Sequence, residues 1–211
     1  MPPASLRRRL TGATRRALLD AAQAQFTEHG YRGTSLDAVV TEAEVTKGAL
    51  YHHFSGKQAV FEAVFAQVEQ AATQTVREAV AGVDDPWEAA LAGLRAYLVV
   101  VQQPAYQRVV MQEGPAILGH ERFREQEERS SYALVRDVVA RVLEVSGDDL
   151  DDPMRATFSR IIFGAVQAAG EDVSTAPDPA AAVRRVEAAI GFLLAGVRGL
   201  ADRGVTLTDP G

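Results

Sequence analysis

Apolar residues recur every three or four positions along nearly the whole chain, and they almost nowhere alternate with polar residues. The first such stripe consists of Leu18, Ala22 and Phe26. Side chains spaced by about 3.6 residues lie on one face of an α-helix, whereas strict alternation would indicate a β-strand. The sequence therefore predicts an all-α protein.

Helix caps and helix breakers divide the first 58 residues into three short helices. Gly30 ends a helix that starts near Thr14, Ser35 caps a second that ends near Ala43, and Thr46 caps a third. The second and third helices have the length and spacing of a helix-turn-helix. Three short helices bury little by themselves, so this unit must pack against a fourth helix. Longer helices are predicted to end near residue 80 and to span about 87–102, 121–145, 153–173 and 178–203.

Composition excludes several classes of protein. The 211 residues are 47% hydrophobic and 24% charged, as in ordinary globular proteins. The absence of cysteine excludes disulfide scaffolds, cysteine-ligated zinc and thiol catalysis, and the four histidines lack the spacing of metal ligands. The sequence contains neither a phosphate-binding loop nor a nucleophile with a matched base. We therefore predict that the protein is not an enzyme and holds no metal and no cofactor.

Nothing in the sequence indicates a membrane or export. The longest apolar run, Ala188–Val197, is flanked by Glu187 and Arg198 and is too short to span a bilayer. The arginines near the N-terminus are not followed by the apolar segment of a signal peptide. We therefore predict a cytoplasmic protein without membrane contact.

Charge is distributed unevenly along the chain. The first 58 residues carry eight Lys or Arg against five Asp or Glu, whereas the remainder carries 14 against 23. Five arginines, at positions 7, 8, 9, 15 and 16, precede the first acidic residue. A basic N-terminal unit joined to an acidic remainder suggests a polyanionic partner. A solubilising tail would explain the same charges equally well.

The third helix has an exposed face suited to a groove of DNA. On a helical wheel at about 100° per residue, Leu50 and Phe54 face inward. Glycine removes side-chain bulk and would let the backbone approach a groove, although glycine in a first turn also costs little. The aromatic residues of this face could equally be ordinary surface. The outward face carries Lys47, Gly48, Tyr51 and His52.

The stretch from Thr34 to Phe54, followed by Lys57 and Phe61, closely resembles the DNA-binding domain of TetR-family transcriptional regulators. The preceding residues 18–31 resemble the first helix of that family, so the resemblance covers residues 15–65. One departure is Glu44, because the family often places glycine there and a side chain at that position is expected to need an unusual backbone angle. The resemblance implies that the major groove is faced by Thr46, Lys47, Gly48, Tyr51 and His52, and that phosphates are held by Thr34, Ser35 and Lys57.

The resemblance also implies how the chain is divided. Residues 1–14 would form a basic N-terminal arm, residues 15–58 a helix-turn-helix DNA-binding domain, and residues 59–211 a helical ligand-binding and dimerisation domain.

The last two helices carry apolar stripes, and three small residues recur every four positions on the last helix, so that one of its faces is nearly flat. Such a face also serves packing within one protomer. The resemblance favours a subunit interface, a four-helix bundle with two helices from each protomer. Its predicted residues are Phe158, Ile162, Ile190, Gly191, Leu194, Ala195 and Gly199.

Glycine and proline interrupt the helices between Pro104 and Gly119. In the TetR family the corresponding region often borders the effector pocket, so the resemblance implies a small-molecule site there. For each aromatic residue, ordinary core packing is the alternative interpretation. The predicted ligand-binding residues are Tyr106, Met111, Glu113, His120, Phe123, Phe163 and Gln167.

Together these features predict a ligand-responsive transcriptional regulator. We expect a homodimeric repressor that a small-molecule effector of unknown identity releases from double-stranded operator DNA. The alternatives are a helical adaptor that binds proteins and a DNA-binding protein that responds to no ligand. Salt-dependent binding to DNA distinguishes the regulator from the adaptor.

Overall fold

The computed structural model describes residues 4–145 and 150–205, with side chains from residue 11 onward. The side chains of Arg7, Arg8 and Arg9 in the predicted arm, and the turn predicted at Gly147 to Asp149, lie outside the described residues. Within the described ranges the chain forms only helices, which confirms the all-α prediction. In chain order the elements are α1 (Ala4–Gly33), α2 (Leu36–Glu42), α3 (Lys47–His53), α4 (Lys57–Val80), α5 (Pro86–Val100), a π-helix (Tyr106–Glu113), α6 (Gly114–Leu118), α7 (His120–Arg129), α8 (Ser131–Val145), α9 (Asp152–Thr175) and α10 (Pro179–Ala201).

The predicted caps of the helix-turn-helix are present. Ser35 Oγ accepts a hydrogen bond from the N–H of Ala38 at 3.0 Å, and Thr46 Oγ1 accepts one from the N–H of Ala49 at 3.2 Å. Each bond satisfies a backbone donor that the first turn of a helix leaves without a partner. The predicted starts of α2 and α3 are therefore confirmed.

Two predicted boundaries were wrong. Helix α1 begins at Ala4 rather than near Thr14, because the single Gly12 costs only about 1 kcal/mol in a helix and does not end it. The helix predicted over 121–145 is divided into α7 and α8 at Ser130, whose hydroxyl donates to the carbonyl of Gln126 at 2.7 Å. Such local bonds from serine compete with regular helix geometry.

The contacts divide the chain into two compact units, and helices α4 and α7 each pass from one unit into the other. The first unit comprises Met1–Glu69 and Pro104–Arg124, and the second comprises Gln70–Gln103 and Glu125–Gly211. The first unit therefore extends beyond residue 58, where the sequence placed the end of the DNA-binding domain. That functional division stays a prediction.

The core of the first unit joins α1 to α4. The rings of Phe26 and Phe61 meet edge to face with centroids 5.2 Å apart, and Tyr31 meets Phe61 in the same way at 5.3 Å. The predicted α1 stripe is fully buried, and so are Phe61, Val64 and Phe65 of α4. The short helices thus use α4 as the second side of their core, as the sequence predicted.

The second unit has its own core between α8 and α9. Val139, Leu143 and Leu150 are buried together, and Phe158 and Ile162 pack against them. Phe158 and Ile162 therefore contribute to packing within the protomer, and their predicted place in a subunit interface stays a prediction. Both side chains remain partly exposed on α9, so their contact with the α8 core does not fill their surface.

Two ion pairs link helix α10 to α5 and its N-cap within the second unit. Arg95 Nε lies 3.5 Å from Glu187 Oε1, and Arg198 Nη2 lies 3.2 Å from Asp85 Oδ2. Asp85 also caps α5, because its Oδ1 accepts the N–H of Trp87 at 2.8 Å. That backbone hydrogen bond, more than the nearby arginine, holds the pKa of Asp85 below its usual value.

None of the helices within the described residues is both long enough and apolar enough to cross a membrane.

The turn between α2 and α3 contains a strained residue. Glu44 has a φ of 53°, and it is the only non-glycine residue with a positive φ in the described part of the chain. Its N–H donates to the carbonyl of Thr41 at 3.2 Å, and the next N–H, of Val45, donates to Val40 at 3.0 Å. The unusual angle predicted from the resemblance is therefore confirmed at this position.

Replacing Glu44 by glycine should relieve this strain. We expect Glu44→Gly to be more stable than Glu44→Ala by about 1 kcal/mol, because alanine keeps the steric cost of a left-handed residue and glycine does not. Both variants remove the same charge, so their difference isolates the backbone. Urea denaturation followed by circular dichroism measures it. As a control, Ala43→Gly at a φ of −75° should lose stability, and an equal loss in Glu44→Gly would contradict the prediction.

Candidate nucleic-acid interface

Helix α3 presents its outward face to solvent. Thr46, Lys47, Gly48, Tyr51 and His52 are all exposed, and the Tyr51 side chain shows 59% of its surface. A Cβ added at Gly48 would approach only Thr46 Oγ1, at 3.8 Å, so no packing within the chain requires glycine there. The five residues predicted to face the major groove therefore share one open surface, which we call the α3 face.

A carboxylate from α2 holds the lysine of the α3 face. Lys47 Nζ lies 2.7 Å from Asp37 Oδ1. The hydrogen bond to Asp37, followed by the charge of that carboxylate, raises the pKa of Lys47. Lys47 is thus cationic at any physiological pH, and a phosphate must compete with Asp37 for it. This pair could not be predicted from the sequence, because a carboxylate ten positions before a lysine gives no local signal of contact.

Two histidines end α3, with ring centroids 5.3 Å apart. His52 is exposed and His53 is half-buried. Burial, followed by the charges of His52 and Arg15, lowers the pKa of His53. His53 therefore remains neutral at neutral pH, and it can accept or donate a hydrogen bond without adding charge to the surface.

The phosphate-binding residues predicted by the resemblance differ in their surroundings. Ser35 is exposed, and because its oxygen acts as acceptor in the α2 cap, its O–H remains available as a donor. Lys57 is half-buried, and its Nζ lies 4.6 Å from the centroid of the Tyr31 ring. Both residues flank the helix-turn-helix and could donate to phosphate.

Thr34 does not join them. It is only 3% exposed, and its hydroxyl lies 3.0 Å from the carbonyl oxygen of Gln25 and 2.8 Å from that of Gly30. The predicted phosphate contact of Thr34 was therefore wrong. Its single hydroxyl hydrogen is instead shared between these two carbonyl oxygens of α1, so the side chain is used within the protein.

Arg15 is a cation that only the tertiary structure brings near α3. It is exposed on α1, and its guanidinium carbon lies 5.4 Å from the centroid of the Phe54 ring at the end of α3. In the sequence it belongs to the five arginines that precede the first acidic residue. Its place near the end of α3 adds a candidate phosphate contact.

The residues predicted to bind a ligand are divided between the two units. In the first unit, Tyr106 is buried and its hydroxyl donates to Glu69 Oε1 at 3.2 Å, while the Phe123 ring packs edge-on against Phe65 at 5.7 Å. Met111 is half-buried there, and His120 is exposed. Glu69, a buried carboxylate in the middle of α4, was not identified from the sequence.

The second unit contains the other two predicted ligand residues. Phe163 packs edge-on against Tyr132, with ring centroids 5.5 Å apart, and the exposed Gln167 donates a hydrogen bond to Glu127. The structure therefore does not gather the predicted set within one unit.

Glu113 is occupied within the first unit. Its Oε2 accepts the N–H of Tyr31 at 2.7 Å, and its Oε1 lies 3.5 Å from Arg108 Nε. The sequence placed Arg108 and Glu113 at an unfavourable spacing of five residues, but the π-helix brings such residues onto adjacent turns. Glu113 thus already binds two groups inside the protein, and its predicted role as an effector ligand stays a prediction.

In the ranges that the structure describes, no three side chains of His, Asp or Glu come together in the way a metal ion would require.

Comparison with known proteins places these features in a family. A family model described as bacterial regulatory proteins, tetR family, matches residues 18–64, and one described as tetracyclin repressor-like, C-terminal domain, matches residues 87–197. The second match alone covers more than half of the chain.

Curated relatives match over the N-terminal part. The HTH-type transcriptional regulator UidR of Escherichia coli K12 is 34% identical over 70 residues, which is 33% of this chain and 36% of that protein. The A-factor receptor protein of Streptomyces griseus is 41% identical over 51 residues, 24% of this chain and 18% of that protein. The chain thus matches only about a third or less of the length of these relatives.

Solved structures match over nearly the whole chain. A TetR-family transcriptional regulator from Pectobacterium atrosepticum superposes with a TM-score of 0.74 at 27% identity, covering 90% of this chain and 96% of that one. RolR in complex with resorcinol superposes with a TM-score of 0.65 at 19% identity, covering 92% and 96%. Proteins of this family are transcriptional regulators rather than enzymes. The exposed α3 face, the capped helix-turn-helix and the two family matches together show that the chain belongs to the TetR family of bacterial regulatory proteins.

Proposed function

We propose that this chain is a repressor that binds operator DNA as a homodimer in the bacterial cytoplasm and is released from it by a small organic molecule. The observation that carries the proposal is the α3 face, on which Lys47, Tyr51 and His52 are exposed together. Side chains of this kind hydrogen-bond base edges and phosphates in the major groove. Sequence-specific contact with DNA gives these exposed groups a function.

Phosphate contacts on either side would set the position of α3 in the groove. Ser35 at the start of α2 and Lys57 at the start of α4 flank the recognition helix, and Arg15 adds a third donor from α1. Such contacts fix the register of a protein on DNA but do not read its sequence. The α3 face would read the bases.

A homodimer is proposed because one helix-turn-helix reads only a few base pairs. Helices α9 and α10 leave large apolar side chains exposed: 64% of Ile161, 80% of Phe192 and 64% of Leu193. An added Cβ at Gly191 would meet no atom within 4 Å, and Ala195 is exposed, so a partner helix can approach closely. The proposed interface keeps the predicted residues, which are Phe158, Ile162, Ile190, Gly191, Leu194, Ala195 and Gly199.

An effector site is proposed in the first unit around Tyr106, Met111 and Phe123. Apolar pockets with a few polar groups bind small organic molecules, and the Tyr106 and Glu69 pair supplies a buried phenol and a buried carboxylate. RolR, which shares this fold, binds resorcinol, so the fold accommodates a small aromatic ligand. The effector must favour a conformation with lower DNA affinity, because equal affinity for both conformations shifts nothing.

Alanine substitution on the α3 face should separate base contacts from phosphate contacts. We expect Tyr51→Ala to weaken operator binding by about tenfold or more while affecting a scrambled duplex little. Lys57→Ala should weaken both duplexes alike and reduce the slope of log affinity against log salt by about 0.9. Fluorescence anisotropy with a duplex from beside the gene, at several salt concentrations, measures both. Unchanged operator affinity after alanine replacement of Lys47, Tyr51 and His52 would refute the assignment of the groove.

The exposed face of α10 should control dimerisation. Phe192→Arg places an unpaired charge in the proposed contact, and we expect the dimer dissociation constant to rise by about 100-fold or more, with loss of operator affinity. Val99→Arg is the control, because Val99 is 60% exposed on α5 of the same unit. Light scattering at micromolar concentration reports the masses. An intact Phe192→Arg dimer would show that the interface lies elsewhere.

The effector proposal is tested by thermal shift with small aromatic compounds, beginning with resorcinol, followed by DNA release. For a compound that releases DNA, Tyr106→Ala or Phe123→Ala should weaken its binding by about tenfold and leave operator affinity in its absence unchanged. Tyr132→Ala, in the second unit, is the matched control. A protein that binds DNA but is released by no compound would be the ligand-independent alternative.

A further inference from the structure

A kink in α1 frees a backbone donor that a distant carboxylate then binds. Gly30 has φ 69° and ψ 174°, outside helical values, so the next residue starts a new direction of the chain. The N–H of Tyr31 donates to Glu113 Oε2 at 2.7 Å, across 82 positions of sequence. A hydrogen bond from a backbone N–H to a carboxylate is stronger than one to a neutral acceptor.

The backbone of Gly30 lies close to the side chains of Glu113 and Arg108. A Cβ on Gly30 would lie 2.6 Å from Glu113 Oε1 and closer still to the Arg108 guanidinium, so no larger residue fits there without displacement. The positive φ of Gly30 requires glycine for a second, independent reason. Both the positive φ and the lack of space thus favour glycine where α1 contacts the π-helix.

The π-helix directs Glu113 toward Tyr31. Residues five positions apart stack on adjacent turns of a π-helix but point to different sides of an α-helix. Arg108 and Glu113 are five apart, and their side chains pair at 3.5 Å. The same helix begins at Tyr106 and ends at Glu113. A change of this segment to α-helical register would turn the carboxylate away from α1.

The Tyr31 side chain meets a candidate phosphate contact. Its ring lies 4.6 Å from Lys57 Nζ and meets Phe61 edge-on at 5.3 Å. A cation over an aromatic face is held by the charge distribution of the ring. Tyr31 therefore connects Glu113, through its backbone, to Lys57, through its ring.

We propose that Glu113 is a positioning residue for operator binding, which holds Tyr31 and thereby holds Lys57 in place for a phosphate. This inference rests on the proposed DNA-binding function. The predicted change in DNA affinity has the opposite sign from the usual effect of removing a negative charge. Loss of a negative charge from a protein ordinarily strengthens its binding to DNA, whereas loss of Glu113 should weaken it.

The test compares Glu113→Ala and Glu113→Gln with Glu121→Ala, an exposed glutamate of the same unit whose removal changes the net charge equally. We expect Glu113→Ala to lower operator affinity about tenfold and its salt slope by about 0.9, as loss of the Lys57 contact does. Glu113→Gln keeps an acceptor oxygen for Tyr31 and should lose only about threefold. Glu121→Ala should bind as the wild type does or slightly more tightly.

A double-mutant cycle and a measurement without DNA complete the test. In a Lys57→Ala background, Glu113→Ala should cost less than about threefold, because the residue it positions is gone. Hydrogen exchange of the Tyr31 amide should be about tenfold faster in Glu113→Ala than in Glu121→Ala. If the wild type binds no duplex, the proposed function fails and this inference with it. If the wild type binds and Glu113→Ala binds as tightly as Glu121→Ala, or if the Lys57→Ala background leaves the effect unchanged, only the positioning role is overturned.

Discussion

The first unit depends on the ring contacts among Phe26, Tyr31 and Phe61. Helices α2 and α3 have seven residues each, which is too short to be stable without tertiary packing. The three rings join the end of α1 to the start of α4, with centroids 5.2 to 6.0 Å apart. Aromatic rings bury a large apolar area with few rotatable bonds, so they fix the angle at which α4 leaves the helix-turn-helix.

The kink at Gly30 lies beside those rings, and two polar side chains bind backbone groups near it. The Thr34 hydroxyl donates to carbonyls of α1 near the kink, and the Glu113 carboxylate binds the amide that the kink frees. Buried backbone groups without partners are costly, so these side chains stabilise the bend in the chain. Thr34 thus has a role inside the protein. In the proposed function, Ser35, Lys57 and Arg15 contact the phosphates.

Neighbouring groups reduce the positive charge of the proposed DNA interface. Asp37 pairs with Lys47 of the α3 face, and burial lowers the pKa of the neighbouring His53, so helix α3 as a whole carries less charge than its residue types suggest. Phosphate attraction contributes mostly non-specific affinity, whereas hydrogen bonds to bases distinguish sequences. A recognition surface with restrained charge favours discrimination between duplexes. The second unit shows the complementary arrangement, because α10 leaves Phe192 and Leu193 exposed where a partner of the same chain could cover them.

The sequence by itself determined the helices, their caps at Ser35 and Thr46, the α1 stripe and the open face of α3, because these follow from local spacing and hydrogen bonding. The positive φ of Glu44 followed from the resemblance to a family with glycine there. Tertiary structure alone decided which polar side chains bind groups inside the protein. Thr34 bonds to carbonyls of α1, and Glu113 binds the amide of Tyr31 across 82 positions of sequence. Phe158 and Ile162 pack against a core that includes residues of α8, which a wheel of α9 alone does not contain. Local patterns specify which face of a helix is apolar, but only packing specifies what lies against it.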